Sequence, residues 1–124
     1  MIKKLLCFSI IFFFTTQTEL FAQNYLMSNS SVTTCGGSFY DSGGSGAAYG
    51  NSENTVRTFC GANAGEVVAA TFNSFNTESG WDPLYVFDGP STASPKVASV
   101  NGVPAGNNVY GTGGWWGAAI IGPF

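Results

Sequence analysis

Three carboxylates lie around a short apolar run in the segment ESGWDPLYVFDGPS, residues 78–91. They belong to Glu78, Asp82 and Asp88. Carboxylates at such spacing serve as the acid and base of glycoside hydrolysis, as ligands of a hard cation such as Ca²⁺, or as solvated ends of a strand. Most of what the sequence says about function depends on which of these roles applies.

The residue types argue against an enzyme. The chain contains no histidine, which removes the commonest general base and the Ser-His-Asp arrangement. A glycosidase needs two acids facing across a cleft, one of them with a raised pKa, and no residues around Glu78 and Asp82 indicate a sugar cleft. The GTGG and SGGSG runs lack the Gly-Lys-Ser/Thr that completes a phosphate loop. We therefore predict a non-enzymatic protein.

Residues 1–22 have the pattern of a secretory signal peptide. Two lysines precede an unbroken apolar run over residues 5–14, and a small residue, Ala22, follows. The apolar run is shorter than the roughly 20 residues that span a bilayer. We predict cleavage after Ala22, a mature chain from Gln23, and a secreted or cell-surface protein. An uncleaved membrane anchor is the alternative.

The chain beyond the leader is acidic. Its cations are Arg57 and Lys96; of the seven acids in the chain, Glu19 lies in the leader and the others follow it. These others are Asp41, Glu53, Glu66, Glu78, Asp82 and Asp88. Two cations cannot neutralise a row of phosphates, so we predict no nucleic-acid partner. The chain also has no basic patch for anionic lipid, and we expect no membrane insertion after cleavage.

Two cysteines, Cys35 and Cys60, follow the leader. Export would place them in an oxidising compartment, where a disulfide is the expected state. By chain entropy, such a bridge contributes on the order of 3 kcal/mol. A metal-binding pair is the weaker alternative, because no histidine or further thiol follows the leader to complete a site.

The body of the chain has β-strand patterns and no sustained helical periodicity. Short β-prone runs alternate with turns rich in Gly, Ser and Asn. In one of them Val68, Ala70 and Phe72 share a face by two-residue alternation. Strands are predicted over residues 55–60, 66–75, 83–89 and 96–100. Many short strands with regular turns indicate an all-β sandwich or barrel.

Four segments follow one another in an order that resembles a CUB domain of the kind found in bacterial secreted proteins. They are CGGSFYDSGG (35–44), YGNSENTVRTFC (49–60), FNSFNTE (72–78) and WDPLYVFDG (81–89). The resemblance implies an antiparallel β-sandwich of jelly-roll type over residues 35–124, after a lead-in strand at 23–34. It also implies a first disulfide between Cys35 and Cys60.

The chain departs from the CUB pattern in two places. Where many CUB domains begin a second disulfide, this chain has SGW at residues 79–81. After Lys96 it lacks the Ser-Asp loop and the Gly-aromatic strand that end the family's fold. We therefore expect a sandwich whose closing strands are missing or atypical, in a truncated chain. The alternative is that the apolar tail, with Trp115 and Trp116, folds back onto the sandwich.

The resemblance also assigns roles to the acids. It implies that Glu78 and Asp82 bind Ca²⁺, with Tyr49 close to the site. The third acidic ligand of the family has no counterpart here, so binding would be weak. The alternative is that both acids are solvated turn residues and that Tyr49 is a core or edge aromatic. For Asp41 and Asp88 we expect turn roles, in which the carboxylate bonds nearby backbone N–H groups.

Together these features predict a secreted, non-enzymatic CUB-like module that binds extracellular protein or glycan, with Ca²⁺ as its cofactor. One alternative is a carbohydrate-binding jelly-roll module, and another is an accessory fragment of a secreted hydrolase. In the first alternative, Trp81 would stack on sugar rings together with Trp115 and Trp116, since indole rings offer flat apolar faces. Otherwise these rings belong to the core.

Overall fold

The computed structural model describes residues 23–106, 109–118 and 123–124. Every regular element in these ranges is a β-strand, which confirms the all-β class. The strands are β1 (Asn24–Leu26), β2 (Ser30–Thr34), β3 (Ser38–Tyr40), β4 (Arg57–Gly61), β5 (Val86–Phe87) and β6 (Lys96–Val97). No helix in this part of the chain is long and apolar enough to cross a membrane. The predicted signal peptide lies outside the described residues.

The six strands form three separate two-stranded ladders. β1 pairs with β3 and β2 with β4, both in parallel, whereas β5 pairs with β6 antiparallel. Strands of different ladders nowhere bring Cα atoms within 8 Å of each other. The expected antiparallel pairing is therefore right for β5–β6 and wrong for the two N-terminal ladders. The reason is the chain path: between β1 and β3 the chain passes through β2, so it returns to the first ladder in the same direction.

An aromatic cluster joins the two N-terminal ladders. Tyr25 of β1 lies beside Phe39 of β3, and Phe59 of β4 meets both rings edge-on, with centroids 5.7 and 5.4 Å away. Edge-to-face contacts of this kind suit the charge distribution of aromatic rings. Tyr25 is only 8% exposed, and of the other described aliphatic and aromatic residues only Pro104 is buried as well. The core between these ladders is therefore small.

Arg57 covers one side of this aromatic cluster. Its guanidinium carbon lies 5.7 Å from the ring centroid of Tyr25 and 5.8 Å from that of Phe59. One terminal nitrogen donates to the hydroxyls of Ser28 and Ser30, at 2.5 and 2.6 Å. A cation over aromatic faces contributes about 0.5–2 kcal/mol, more as water is excluded. Arg57 thus links the β1–β2 connection to β4.

The predicted strands differ in outcome. Residues 55–60 correspond to β4, while the expected strands at 83–89 and 96–100 shorten to β5 and β6. The lead-in segment at 23–34 forms two strands, β1 and β2, instead of one.

The long strand predicted at 66–75 is absent, and these residues form no ladder with any of the six strands. Its two consecutive valines are left in solvent: Val67 is 91% exposed and Val68 44%. The segment does pair locally with the tail. Ala70 and Phe124 exchange backbone N–H···O=C bonds of 3.3 and 3.1 Å.

The described part of the tail folds back, as the alternative to truncation expected. Trp115 and Leu84 exchange two backbone hydrogen bonds of 2.8 Å, and the Trp115 indole donates to the Val97 carbonyl at 3.1 Å. Glycine allows this close approach, since a Cβ on Gly114 would lie 2.6 Å from that of Pro83. The glycines of the GTGGWW run thus allow Trp115 to pack beside Leu84 and Val97.

The structure does not form the predicted disulfide. Cys35 and Cys60 are both exposed free thiols. In the β2–β4 register Cys60 stands opposite Thr33, two residues before Cys35. Two strand residues advance the chain by about 7 Å, which with the lateral strand spacing separates the cysteine Cα atoms by about 8 Å. That exceeds the roughly 7 Å that a disulfide spans without backbone movement.

We predict that both cysteines react with a maleimide under native conditions. The full chain is labelled without reductant and digested, and mass spectrometry of the peptides locates each label. Because both thiols are exposed and unpaired, each should be fully modified, and Cys35→Ser should leave the labelling rate of Cys60 unchanged. Recovery of a linked peptide pair in place of the labels would show that the β2–β4 register differs from the one described.

Candidate metal centre

The chain from Glu78 to Asp82 forms one tight turn. The Glu78 carbonyl accepts hydrogen bonds from the backbone N–H groups of Trp81 and Asp82, both at 3.1 Å. Gly80 adopts a φ of 78°, a left-handed conformation that glycine takes without steric cost. Pro83 follows and has no N–H with which to continue the turn. The two acids therefore stand at the two ends of a single closed turn.

Tyr49 ties the ends of this turn together. Its hydroxyl donates to Asp82 Oδ2 at 3.0 Å and accepts from the Glu78 backbone N–H at 3.2 Å. Tyr49 comes 29 residues before Glu78, so the contact is long-range. The three residues that the sequence proposed for one site thus lie together. Tyr49 contacts the side chain of Asp82 and the backbone of Glu78.

The electrostatics of the turn favour a neutral tyrosine. Burial raises the pKa of Tyr49 above its ordinary value, and its hydrogen bond to Asp82 and the nearby charges of Asp82 and Glu78 raise that pKa further. The hydrogen bond from the Glu78 N–H acts in the opposite direction. Tyr49 therefore remains protonated and keeps donating to Asp82 throughout the neutral pH range.

The carboxylates of this turn lack a cationic neighbour in the described part of the chain. Arg57 is bound to Ser28 and Ser30. Lys96 donates to the carbonyls of Tyr110 and Thr112, at 2.6 and 2.8 Å. Two carboxylates without a paired cation are a suitable beginning for a Ca²⁺ shell, since Ca²⁺ prefers oxygen ligands.

The remaining ligands of such an ion would have to come from the backbone and from water. Within the described ranges no three His, Cys, Asp or Glu side chains cluster closely enough to hold a metal. Ca²⁺ takes six to eight oxygens, so Glu78 and Asp82 could supply only part of the shell. The donor set fits a hydrated, weak calcium site and does not fit zinc, which prefers nitrogen and sulfur.

A loop that the sequence did not single out supports the turn from the other side. The Ala105 N–H donates to the Gly80 carbonyl at 2.6 Å. A Cβ on Gly106 would lie 2.6 Å from the Trp81 carbonyl oxygen, so only glycine fits there. In the sequence, only the PAG tripeptide at 104–106 could have indicated that this loop supports the acidic turn. A tripeptide is too short to be distinguished from an ordinary turn.

The other two candidate acids lie apart from this turn's hydrogen bonds. Asp41 is a turn residue as predicted: its Oδ1 accepts from the Gly43 N–H at 2.9 Å. The same expectation for Asp88 is wrong. Its carboxylate is exposed and makes no hydrogen bond among the described residues, and the following turn is closed by Ser91 and Ser94 instead.

The tryptophans do not form the three-ring platform that stacking would use. Trp81 is 51% exposed and adjoins Asp82. Trp115 and Trp116 are half-buried, and the Trp115 ring packs against Phe124 with centroids 5.9 Å apart. Trp81 is thus the one tryptophan of the described residues with most of its ring available to a ligand.

No known protein-family model matches the chain, and no solved structure matches it closely enough to indicate a relative. The CUB resemblance therefore rests on the four ordered sequence segments.

We predict that Tyr49→Phe lowers the free energy of unfolding by about 1 kcal/mol, the usual net value of a hydrogen bond. Urea unfolding of the full chain at pH 7 measures it. Tyr40→Phe is the matched control, because the Tyr40 hydroxyl makes no hydrogen bond to a described residue. Equal stability of the two variants would contradict the bridging role of Tyr49.

The contribution of Tyr49 to the free energy of unfolding should depend on pH in a defined direction. A folded-state pKa raised above that of the unfolded chain gives stability that is complete below about pH 10 and is lost as pH rises through the raised value. The difference between the wild type and Tyr49→Phe should therefore shrink above pH 10. If the stability difference between the wild type and Tyr49→Phe stays constant up to pH 11, the difference comes from packing and not from the hydrogen bonds of the Tyr49 hydroxyl.

Proposed function

We propose that the chain is a secreted, non-enzymatic CUB-like module that binds extracellular protein or glycan with the help of Ca²⁺ held at Glu78 and Asp82. The observation that carries the proposal is the Tyr49 hydroxyl, which bonds Asp82 Oδ2 and the Glu78 N–H at once. A turn that is only solvated would not need hydrogen bonds from a residue so distant in sequence. The leader pattern at residues 1–22 supports export to the medium or the cell surface.

The proposed fold is a CUB-like β-sandwich of jelly-roll type. Two features support it: Phe59 of one N-terminal ladder contacts Tyr25 and Phe39 of the other, and the segments at 84–87, 96–97 and 115 pair antiparallel. The parallel pairing of β1–β3 and β2–β4 is a departure from that family's pattern. The sandwich proposed here would therefore be an atypical one.

Each residue of the turn has a proposed task. Glu78 and Asp82 would supply carboxylate oxygens to the ion, while Tyr49 orients the Asp82 carboxylate without binding the metal. The ion would add positive charge that draws both ends of the turn together and orders the adjoining loop at 104–106. A basic side chain of the partner would then pair with the acids of the ordered surface.

We predict that Ca²⁺ stabilises the full chain. For a weak extracellular-type site with a Kd of about 1 mM, 10 mM Ca²⁺ adds about 1.4 kcal/mol by mass action. For a domain of this size that raises Tm by about 5 °C. A thermal melt in CaCl₂ and then in chelator measures the shift, with MgCl₂ as the ion control.

Glu78→Gln and Asp82→Asn should each abolish the calcium shift, whereas Asp88→Asn should keep it. Asp88 is the matched control because it is an exposed acid outside the turn. An unchanged Tm at 10 mM Ca²⁺ would reject the calcium site, and a shift retained in Glu78→Gln would place the ion elsewhere.

A second candidate function, carbohydrate binding, is favoured by the exposure of Trp81 beside the turn. A sugar ring stacked on this indole would contact Asp82 with its hydroxyls. We expect glycan-array binding, if this candidate is right, to fall at least about tenfold in Trp81→Ala. Trp116→Ala is the control, because that ring is half-buried. Equal losses in both variants would point to a folding defect instead of a lost stacking surface.

A further inference from the structure

A large cavity lies beside β3 and β4. Its volume is about 2050 Å³, and every residue of β3 and β4 lines it, together with most of the connection at 41–56 and with residues 66–77 and 82–92. From β1 and β2, only Tyr25 and Thr34 reach it. The cavity therefore runs along the sides of β3 and β4 that face away from their ladder partners.

The backbone edges of β3 and β4 are open toward this cavity. The ladder bonds of β4 go to β2, and no other described segment bonds the backbone of residues 57–61. The bonds of β3 likewise go to the β1 side. In a two-stranded ladder the outward N–H and C=O groups of each strand are unpaired and form a template for another strand. β4 offers about 16 Å of such an edge.

The cavity wall also carries apolar rings that the chain leaves partly uncovered. Phe39 is 36% exposed, and Phe59, Phe72 and Phe75 are half-buried. All four line the cavity. An open strand edge beside uncovered aromatic rings is the arrangement that accepts an added strand, in which the backbone gives affinity and alternate side chains fill pockets.

The charge of the residues that line the cavity favours a basic ligand. The carboxylates that line the cavity are those of Asp41, Glu53, Glu66, Asp82 and Asp88. Arg57 is the one lining cation, and its guanidinium is already bound to Ser28 and Ser30. A second copy of this chain would bring the same excess of acids and meet like charge, which costs free energy at an interface. A basic segment meets the opposite charge.

We propose that this cavity binds an extended segment of a partner protein, with alternating apolar and basic side chains, as a strand added to β4. The apolar side chains of the segment would pack on Phe39 and Phe59, and the basic ones would reach the lining acids. The cavity borders the proposed calcium turn, because Tyr49 and Asp82 line it whereas Glu78 does not. The proposal goes beyond the function proposed above, since strand addition to β4 needs no Ca²⁺.

Fluorescence anisotropy with three labelled peptides tests the proposal on the full chain in EDTA, which removes any calcium contribution. The peptides are KVKVKVK, EVEVEVE and KVKPKVK. The first should bind, the second at least about tenfold more weakly because its charge is reversed, and the third at least about tenfold more weakly because proline cannot complete a ladder. Hydrogen exchange of the amides in residues 57–61 should slow when KVKVKVK is bound.

Two matched variants test the position. Asp88→Lys reverses an exposed charge of the cavity wall and should weaken KVKVKVK at least about threefold, while Val100→Lys adds a lysine at a fully exposed residue outside the cavity and should leave binding unchanged. Asp88→Asn gives a smaller loss in the same direction if the lysine variant does not fold.

Several results would overturn the proposal. These are no binding of KVKVKVK at 1 mM, equal binding of the proline peptide, equal binding of the acidic peptide, or equal losses in Asp88→Lys and Val100→Lys. Sedimentation that shows a dimer of this chain, dissociated by KVKVKVK, would assign the cavity to a second copy and reject the partner segment. A calcium shift in Tm without peptide binding would reject this proposal alone.

Discussion

The edge-on contacts of Phe59 with Tyr25 and Phe39 hold the N-terminal half of the molecule together. The two ladders that these rings join belong to separate sheets, and a two-stranded ladder is barely stable alone in water. Arg57 extends the same contact by lying over two of the rings. The placement of β4 against β1 and β3, and with it the wall of the cavity, therefore depends on Phe59 and Arg57, together with the hydrogen bond from the Tyr25 hydroxyl to Thr34 Oγ1.

The C-terminal half is organised around a different ring. Trp115 joins Leu84 and Val97, which fixes the segment that follows the acidic turn. Tyr49 reaches that turn from the N-terminal half through one hydroxyl. The candidate metal centre therefore lies where the halves meet, and its geometry reports on their relative position as well as on its own ligands.

Local features of the fold could be predicted from sequence, whereas pairing could not. The Asp41 turn and the strand at β4 follow from residue types that act within a few positions. The meeting of Tyr49 with Glu78 and Asp82 was implied by the resemblance to a CUB domain. The parallel ladders, the unformed strand at 66–75 and the separated cysteines all depend on which edges come together, and β-patterns do not encode partners. The same local pattern is a strand or an exposed segment according to its neighbour.

The register of β2 with β4 has a consequence for how the chain folds. Ser30 stands opposite Arg57, 27 positions later, whereas Phe87 stands opposite Lys96 only nine positions later. Closing the longer loop costs more chain entropy before any contact offsets it. The topology therefore favours early formation of the β5–β6 hairpin and late docking of β4. Until β4 arrives, Phe59 is exposed, and this interval is when the newly made chain is most open to aggregation or to capture by a chaperone.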